Sequence, residues 1–592
     1  MSSTSTEEQQ GTVIRASGSV VEASGLRDVQ MHEVVEVGRD RLVGEVIRMA
    51  EDVATIQVYE HMTGLQPGDA VYPRGGPLRL SLGPGLLGNI FDGIQRPLVT
   101  LTEQGGSFIE PGQKADSLAS DEEWPFTPRV EEGDELSGGQ VFGVVQETQA
   151  IEHRLLVPPR QRGKVVEVKS AGAYKPHDTM CVLENDGERT ELTMVHEWPT
   201  REPRPFQQRL LGDTPLITGQ RVIDTFFPIT EGGTSAIPGD FGTGKTVLQH
   251  SLAKWAQADI VIYVGCGERG NEMTDILREF PELEDPQTGR SVMERTVLIA
   301  NTSNMPVAAR EVSIYTGITV AEYYRDMGYR VALMADSTSR WAEALREISS
   351  RLEEMPAEEG FPAYLPSSLA QFYERAGKMK TLNGDEGSIS VMGAVSPPGG
   401  DFSEPVTQHT KRFTRCFWAL DRELAHARHY PAVSWTESYS EYLTDIQDWW
   451  TKKDPEWPQL RKEAMDVLQE EDRLQEIVKL VGPDVLPDSQ RLILTTADLL
   501  KNGFLQQNAM DTVDMYCTPQ KQLFLLRAFV TFHRKASQLV DQGVPIARIR
   551  EADVLQDLPR AKSSIENGDE EALKDLIREV ERQLEDVGSE SQ

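Results

Sequence analysis

Along the first hundred residues, apolar side chains alternate with polar ones or gather in short β-branched runs, as in Arg41 to Arg48 and Asp52 to Tyr59, each set between charged turns. A period of two bounded by turn formers predicts strands, here of a small β-barrel. A second strand-rich stretch runs from Thr100 to about Pro199 between Pro- and Gly-rich turns, with Val141 to Val145 and Gly163 to Val168 as its clearest members. Further on the apolar runs become continuous. Ile260 to Val264 and Val331 to Ala335 have the β-branched or uniformly apolar character of strands buried on both faces of a parallel sheet. After about Trp435 the period changes to that of a helix, and Leu573, Leu576, Ile577, Val580, Leu584 and Val587 fall along one helical face.

Between two of these patterns stands Gly239-Asp240-Phe241-Gly242-Thr243-Gly244-Lys245-Thr246, which fits the phosphate-loop pattern G-x-x-x-x-G-K-[ST] without a mismatch. A triphosphate carries several negative charges that must be met by donors at close range. Glycines let the backbone approach and turn its N–H groups inward, and the helix that follows adds its positive N-terminal end. Lys245 then reaches the β- and γ-phosphates, while the Thr246 hydroxyl suits Mg²⁺, a hard cation that prefers oxygen and shares phosphate ligands. The motif needs a strand before it and a helix after it, and Thr234 to Ile237 and Val247 to Trp255 are expected to provide them.

Two more positions carry candidate chemistry. The strand ending in Asp336 places a carboxylate where a nucleotide site would hold magnesium, directly or through water. The strand ending at Val264 runs into Gly265-Cys266-Gly267-Glu268-Arg269-Gly270-Asn271-Glu272, polar residues at a carboxyl end, where open α/β sheets bind ligands. Glu268 is a candidate for orienting an attacking water and Arg269 for meeting charge on the γ-phosphate; a solvated Glu-Arg turn is the alternative.

The run Asp336-Ser337-Thr338-Ser339-Arg340-Trp341-Ala342-Glu343-Ala344-Leu345-Arg346-Glu347, together with Gly265 to Glu272 and Val395-Ser396-Pro397-Pro398-Gly399-Gly400-Asp401, resembles the catalytic A subunits of archaeal-type and vacuolar-type rotary ATPases, and the likeness extends along nearly the whole chain. The resemblance implies that Lys245 and Thr246 bind phosphate and Mg²⁺, that Glu268 positions water, that Arg269 contacts the γ-phosphate, that Asp336 lies near the metal and that Arg340 stands behind these groups. It implies that Tyr430, in Tyr430-Pro431-Ala432-Val433, lies against adenine; without it, Tyr430 reads as a core residue near a turn. Two positions depart from the family pattern. Ser434 replaces an Asn or Asp, and Asp240 replaces a Pro, adding a carboxylate that would weaken nucleotide binding unless it faces away.

The expected fold class is therefore α/β multidomain: an N-terminal β-barrel and connector over 1–99, a β-rich bulge insertion over 100–199, a RecA-like phosphate-loop core with a parallel sheet over 200–435, and a C-terminal helical domain over 436–592. The resemblance implies ATP, ADP and phosphate as substrates. It implies noncatalytic B subunits alternating with this chain in a hexamer, central and peripheral stalk subunits, and an indirect link to a membrane rotor moving protons or sodium from the cytoplasmic face of the cell membrane.

Composition narrows the classes. The 592 residues exceed what one core covers. Sixty basic against ninety-four acidic residues leave a net charge of −34, and the first lysine is Lys114. Such acidity repels nucleic-acid phosphates, which argues against a ring-shaped translocase on DNA or RNA and against nucleic acid as a partner. With few lysines relative to arginines, it predicts a salt-rich, halophilic cytoplasm in which repulsion is screened. Cys181, Cys266, Cys416 and Cys517 are too scattered for a disulfide scaffold or a C-x-x-C site, and Cys266 reads as small packing. His426 and His429 are three apart with no third ligand nearby, so neither is expected to hold a metal. No stretch is long and apolar enough to cross a bilayer, and Met1 to Gly11 reads as a polar, acidic tail. A noncatalytic structural role within such an assembly is the remaining alternative, and the intact Lys245, Thr246 and Glu268 speak against it.

Overall fold

The computed structural model describes residues 10–106, 109–284 and 289–590, so residues 1–9 of the expected acidic tail lie outside the described residues. The chain forms two compact units, each assembled from separated segments: Met1–Leu210, Ala258–Val395 and Ser403–Phe413 in the first, Leu211–Gln257, Ser396–Phe402 and Thr414–Gln592 in the second.

The first unit begins with a closed barrel whose strands follow the order Gly11–Ser17, Val20–Ser24, Val53–Val58, Leu42–Ala50, Glu33–Val37 and Ala70–Pro77. Gly11 lies opposite Val71 and closes the ring. Alternation puts Val35, Val37, Val46, Ile56, Val58 and Val71 inside, and closure leaves no open edge to pair with another chain. Burial of each such side chain contributes about 1.5–3 kcal/mol. The next segment builds two four-stranded antiparallel sheets around Phe126, Phe142, Val145, Leu155, Val165 and Leu183.

The same unit holds the expected parallel sheet, with neighbours Ile90–Phe91, Thr296–Thr302, Ile260–Glu268, Arg330–Asp336 and Glu386–Val395. Its strands are apolar on both faces because helices cover them; the helix Val307–Asp326 is buried along almost its full length. Gly265 pairs with Asp336, so Glu268 and Asp336 close adjacent strands at the same carboxyl edge.

A buried charge cluster fastens this unit internally. Glu45 accepts from Tyr59 Oη, from His32 Nδ1 at 2.6 Å and from Arg201 at 3.2 Å, while Arg201 also donates to Glu311 at 2.7 Å. Burial alone would raise the Glu45 pKa, but Arg201 and the donated hydrogen bonds outweigh it and hold the carboxyl at about 2, against an ordinary 4.5. A depressed carboxylate stabilises the fold above its unfolded pKa, and that contribution disappears as pH falls through the folded value. The difference corresponds to about 3 kcal/mol. In urea unfolding, Glu45→Gln is expected to trail the wild type clearly at pH 6, with the gap closing between pH 4.5 and about 2; a gap independent of pH would contradict the assignment.

In the second unit, Thr234–Pro238 runs parallel to Cys416–Phe417, which pairs antiparallel with Tyr439–Ser440. Helices then dominate, as the change of period predicts: Leu443–Lys453, Trp457–Val481, Asp488–Leu500, Pro519–Asp541, Val554–Ser564 and Glu570–Glu590. Leu573, Val580 and Leu584 are buried, while Leu576, Ile577 and Val587 are half-buried at the margins of the same face. Arg221 and Asp514, both fully buried, pair at 2.6 Å, and Arg221 also donates to the carbonyls of Phe504 and Gln506. Such a pair is costly to break because either partner alone would be an uncompensated buried charge. It ties the segment ahead of the phosphate loop to the stretch around residue 510.

Candidate nucleotide site

The phosphate loop leaves the strand Thr234–Pro238, all five of whose residues are buried, and enters the helix Lys245–Trp255. Gly242 and Gly244 take φ of +80° and +91°, which a side chain resists. Gly239 has a different reason to be glycine: a Cβ there would lie 2.4 Å from Thr243 Oγ1 and 2.9 Å from Leu420 Cβ. Thr243 Oγ1 donates to the Asp240 carbonyl at 2.8 Å and braces the turn. Lys245 Nζ donates to the carbonyls of Gly239 and Asp240 at 2.7 and 2.9 Å, so the ammonium lies over its own loop. Thr246 is the second residue of the helix, and Phe241 projects outward, 72% exposed.

The Asp240 carboxylate accepts from the Phe241 N–H at 2.7 Å and lies 3.6 Å from Arg422. Its charge thus has a cationic neighbour, which offsets the repulsion expected of a carboxylate in this loop. Ser434, the other departure, accepts from the Glu437 N–H at 3.3 Å and shares a 3.1 Å hydrogen bond with Thr436, so local capping persists.

Tyr430 belongs with the loop. A Cβ on Gly244 would lie 3.5 Å from the Tyr430 ring, and the two share a cleft with Gln220, Val247, Ser251 and Gln507. The Gln507 N–H donates to the Tyr430 carbonyl at 2.8 Å, which fixes the backbone that carries the ring. Gln220 and Gln507 went unpredicted because they come from segments 287 positions apart, with no motif joining them.

Glu268, Arg269, Asp336 and Arg340 lie in the first unit. Glu268 is the last residue of Ile260–Glu268 and is half-buried; Arg269 follows it and is exposed. Asp336 is 2% exposed and accepts from Tyr263 Oη on the adjacent strand at 3.1 Å. The turn before Glu268 is tight, since a Cβ on Gly267 would lie 2.9 Å from Arg310 Cδ and 3.0 Å from Arg340 Cβ. This brings Arg340 beside the Glu268 turn, with its guanidinium donating to Glu343 at 2.8 Å. It also brings in Arg310, which sequence reasoning missed because it lies inside a helix far from any motif. The Asn271 and Glu272 side chains lie outside the described residues. Burial pushes the Cys266 thiol up to about 12, in keeping with a packing role. His429 lies 3.0 Å from the Lys501 carbonyl.

No group of three or more His, Cys, Asp or Glu able to hold a metal exists among the described residues. The Thr246 hydroxyl in the second unit and the buried Asp336 carboxylate in the first are each, taken separately, oxygen groups of the kind a hard cation prefers. Oxygen of either kind suits Mg²⁺, which fills its remaining positions with phosphate oxygens and water. No helix is long and apolar enough to cross a membrane among the described residues.

Comparison with known proteins accords with this geometry. Residues 219–440 match the nucleotide-binding domain of the ATP synthase alpha/beta family, 13–75 its beta-barrel domain, 115–201 the barrel-sandwich domain of its subunits, and 447–550 the C-terminal domain of V and A type ATP synthase. The assembled ATPase EscN from the type III secretion system of enteropathogenic E. coli shares the fold at a TM-score of 0.63 and 22% identity, over 88% of this chain and 100% of that one. The chain is 58% identical to the V-type ATP synthase alpha chain of Halothermothrix orenii over 97% of its length and 98% of that protein's. It is 56% identical to the A subunit of the A-type ATP synthase of Methanopyrus kandleri over 98% of both chains, and 56% identical to that of Thermococcus kodakarensis over 98% of this chain and 99% of the relative. On likeness of that depth across nearly every residue, the chain belongs to the A (alpha) subunits of the A-type and V-type ATP synthases, the catalytic subunits of these rotary enzymes.

Proposed function

We propose that this chain, as such a catalytic subunit, makes and hydrolyses MgATP at interfaces with B subunits in an alternating hexamer. Stalk subunits couple it to a membrane rotor that moves protons or sodium, and the head stands at the cytoplasmic face of the cell membrane. The observation that carries the reading is the 58% identity to an ATP synthase alpha chain along 97% of this one, joined to a phosphate loop with the turn geometry its motif demands.

In hydrolysis, the loop N–H groups and Lys245 hold the β- and γ-phosphates, and the helix N-terminus adds its positive end. The Thr246 hydroxyl and the Asp336 carboxylate are the oxygen groups that would hold Mg²⁺, which would supply positive charge to the phosphate oxygens. Glu268 orients a water and accepts its proton as the water oxygen bonds to the γ-phosphorus and the bond to the bridging oxygen of ADP breaks. Arg269 meets the charge on the γ-phosphoryl oxygens, Arg340 steadies the Glu268 turn, and Tyr430 stacks on adenine. Synthesis reverses these steps. The charge of −34 and the scarcity of lysine suit a cytoplasm rich in salt.

An arginine supplied by the neighbouring B chain completes each site in this scheme, and such fingers contribute roughly 10³–10⁵ in rate. The purified chain alone is therefore expected to hydrolyse MgATP about a thousandfold more slowly than the same chain assembled with its B partner, measured by phosphate release at high salt. Equal turnover with and without the partner would refute the shared site.

A further inference from the structure

We propose that Gln220 reads the exocyclic amino edge of adenine and so sets the preference of this site for adenine over purines that lack that group. The proposal rests on the reading of the Tyr430 cleft as the base site, and it adds the polar group that distinguishes one base from another.

Gln220 is 5% exposed and lines the cleft with Tyr430, Gly244, Val247 and Ser251. Its main chain is engaged: the N–H donates to Thr218 Oγ1 at 3.1 Å, and the carbonyl accepts from the N–H groups of Ile223 and Asp224. Its side-chain carboxamide has no hydrogen-bond partner among the described residues. The residue is nine-tenths buried, yet its amide hydrogen-bonds no other described residue and keeps its accessible surface on the cleft, which marks it as a position for a ligand. The other amide of the cleft differs. Gln507 accepts from the Arg221 N–H at 3.0 Å and donates to the Gly219 carbonyl at 2.8 Å, so both ends are committed to the fold.

The chemistry of a free carboxamide fits adenine. Its oxygen accepts from the 6-amino group while its nitrogen donates to a neighbouring ring nitrogen, a two-point match to adenine N6 and N7. Guanine offers two acceptors on the same edge and satisfies only one end of the amide. Tyr430 stacks on any purine and discriminates little; Gln220 supplies the discrimination.

The test uses the assembled complex and measures dissociation constants for ATP and for purine riboside 5′-triphosphate, which lacks the 6-amino group. The wild type is expected to prefer ATP by about tenfold, the value of a hydrogen bond of ordinary strength. In Gln220→Leu, of similar size and with the main-chain bonds intact, the ratio is expected to fall to about one. A ratio retained in Gln220→Leu, or a wild-type ratio near one, overturns the proposal. Tyr430→Ala separates the premise from the proposal, since it should weaken both nucleotides alike. Unchanged affinity for both in Tyr430→Ala would remove the base-site reading itself, whereas weakening there with an unmoved ratio in Gln220→Leu rejects Gln220 alone.

Discussion

Lys245→Met is expected to weaken MgATP binding by about 10- to 100-fold and to cut turnover by about 10³. The reason lies in where the ammonium stands. Its side chain lies along the loop and hydrogen-bonds the carbonyls of Gly239 and Asp240 at 2.7 and 2.9 Å, over the concavity that Gly242 and Gly244 create with their positive φ. A charged hydrogen bond to phosphate is worth more than a neutral one. Methionine keeps the length and apolar stem while removing the charge. Because Lys245 also bridges the loop, its loss could act through loop geometry alone, and AMP serves as the control. Phosphate recognition predicts that ATP binding falls while AMP binding, held through the base and ribose, stays within about twofold; an equal loss for both would assign Lys245 a structural role only.

How much of this was legible in the sequence depends on whether the signal was local. The phosphate loop, the strand Ile260–Glu268 and the strand Arg330–Asp336 each announce themselves within a dozen residues, because glycine geometry and uninterrupted burial leave a direct mark on residue choice. The barrel strands Leu42–Ala50 and Val53–Val58 were legible for the same reason, since one face of each meets the core. Tyr430 was legible only through family resemblance, for a tyrosine before a proline carries no mark of its own. The Gln220 and Gln507 side chains of its cleft were not legible at all. Their proximity is a product of the tertiary fold, secured by the Arg221–Asp514 pair across nearly 300 positions. Arg310 was hidden likewise, for its importance comes from the close passage of Gly267, 43 positions earlier. Periodicity along a chain says which face of an element is buried but not what it is buried against, so neither the two compact units nor the segments that compose each could be read from it.

Glu268→Gln carries the second large expected effect and bears most directly on whether this chain performs the phosphoryl chemistry. The half-buried carboxylate ends a strand of the parallel sheet, beside the turn that packs Gly267 against Arg310 and Arg340, at the carboxyl edge shared with Asp336. Glutamine preserves the shape and one hydrogen-bond acceptor but cannot take a proton from water, so what is lost is base catalysis, worth about 10²–10⁴ in rate. Ground-state contacts to nucleotide are untouched by this change. The measurement is steady-state MgATP hydrolysis by the native assembly purified at high salt, wild type against Glu268→Gln, at concentrations that give both the same nucleotide occupancy. The account predicts turnover lower by at least about a hundredfold with binding retained; equal turnover at equal occupancy would contradict it and move the catalytic site off this chain's Glu268.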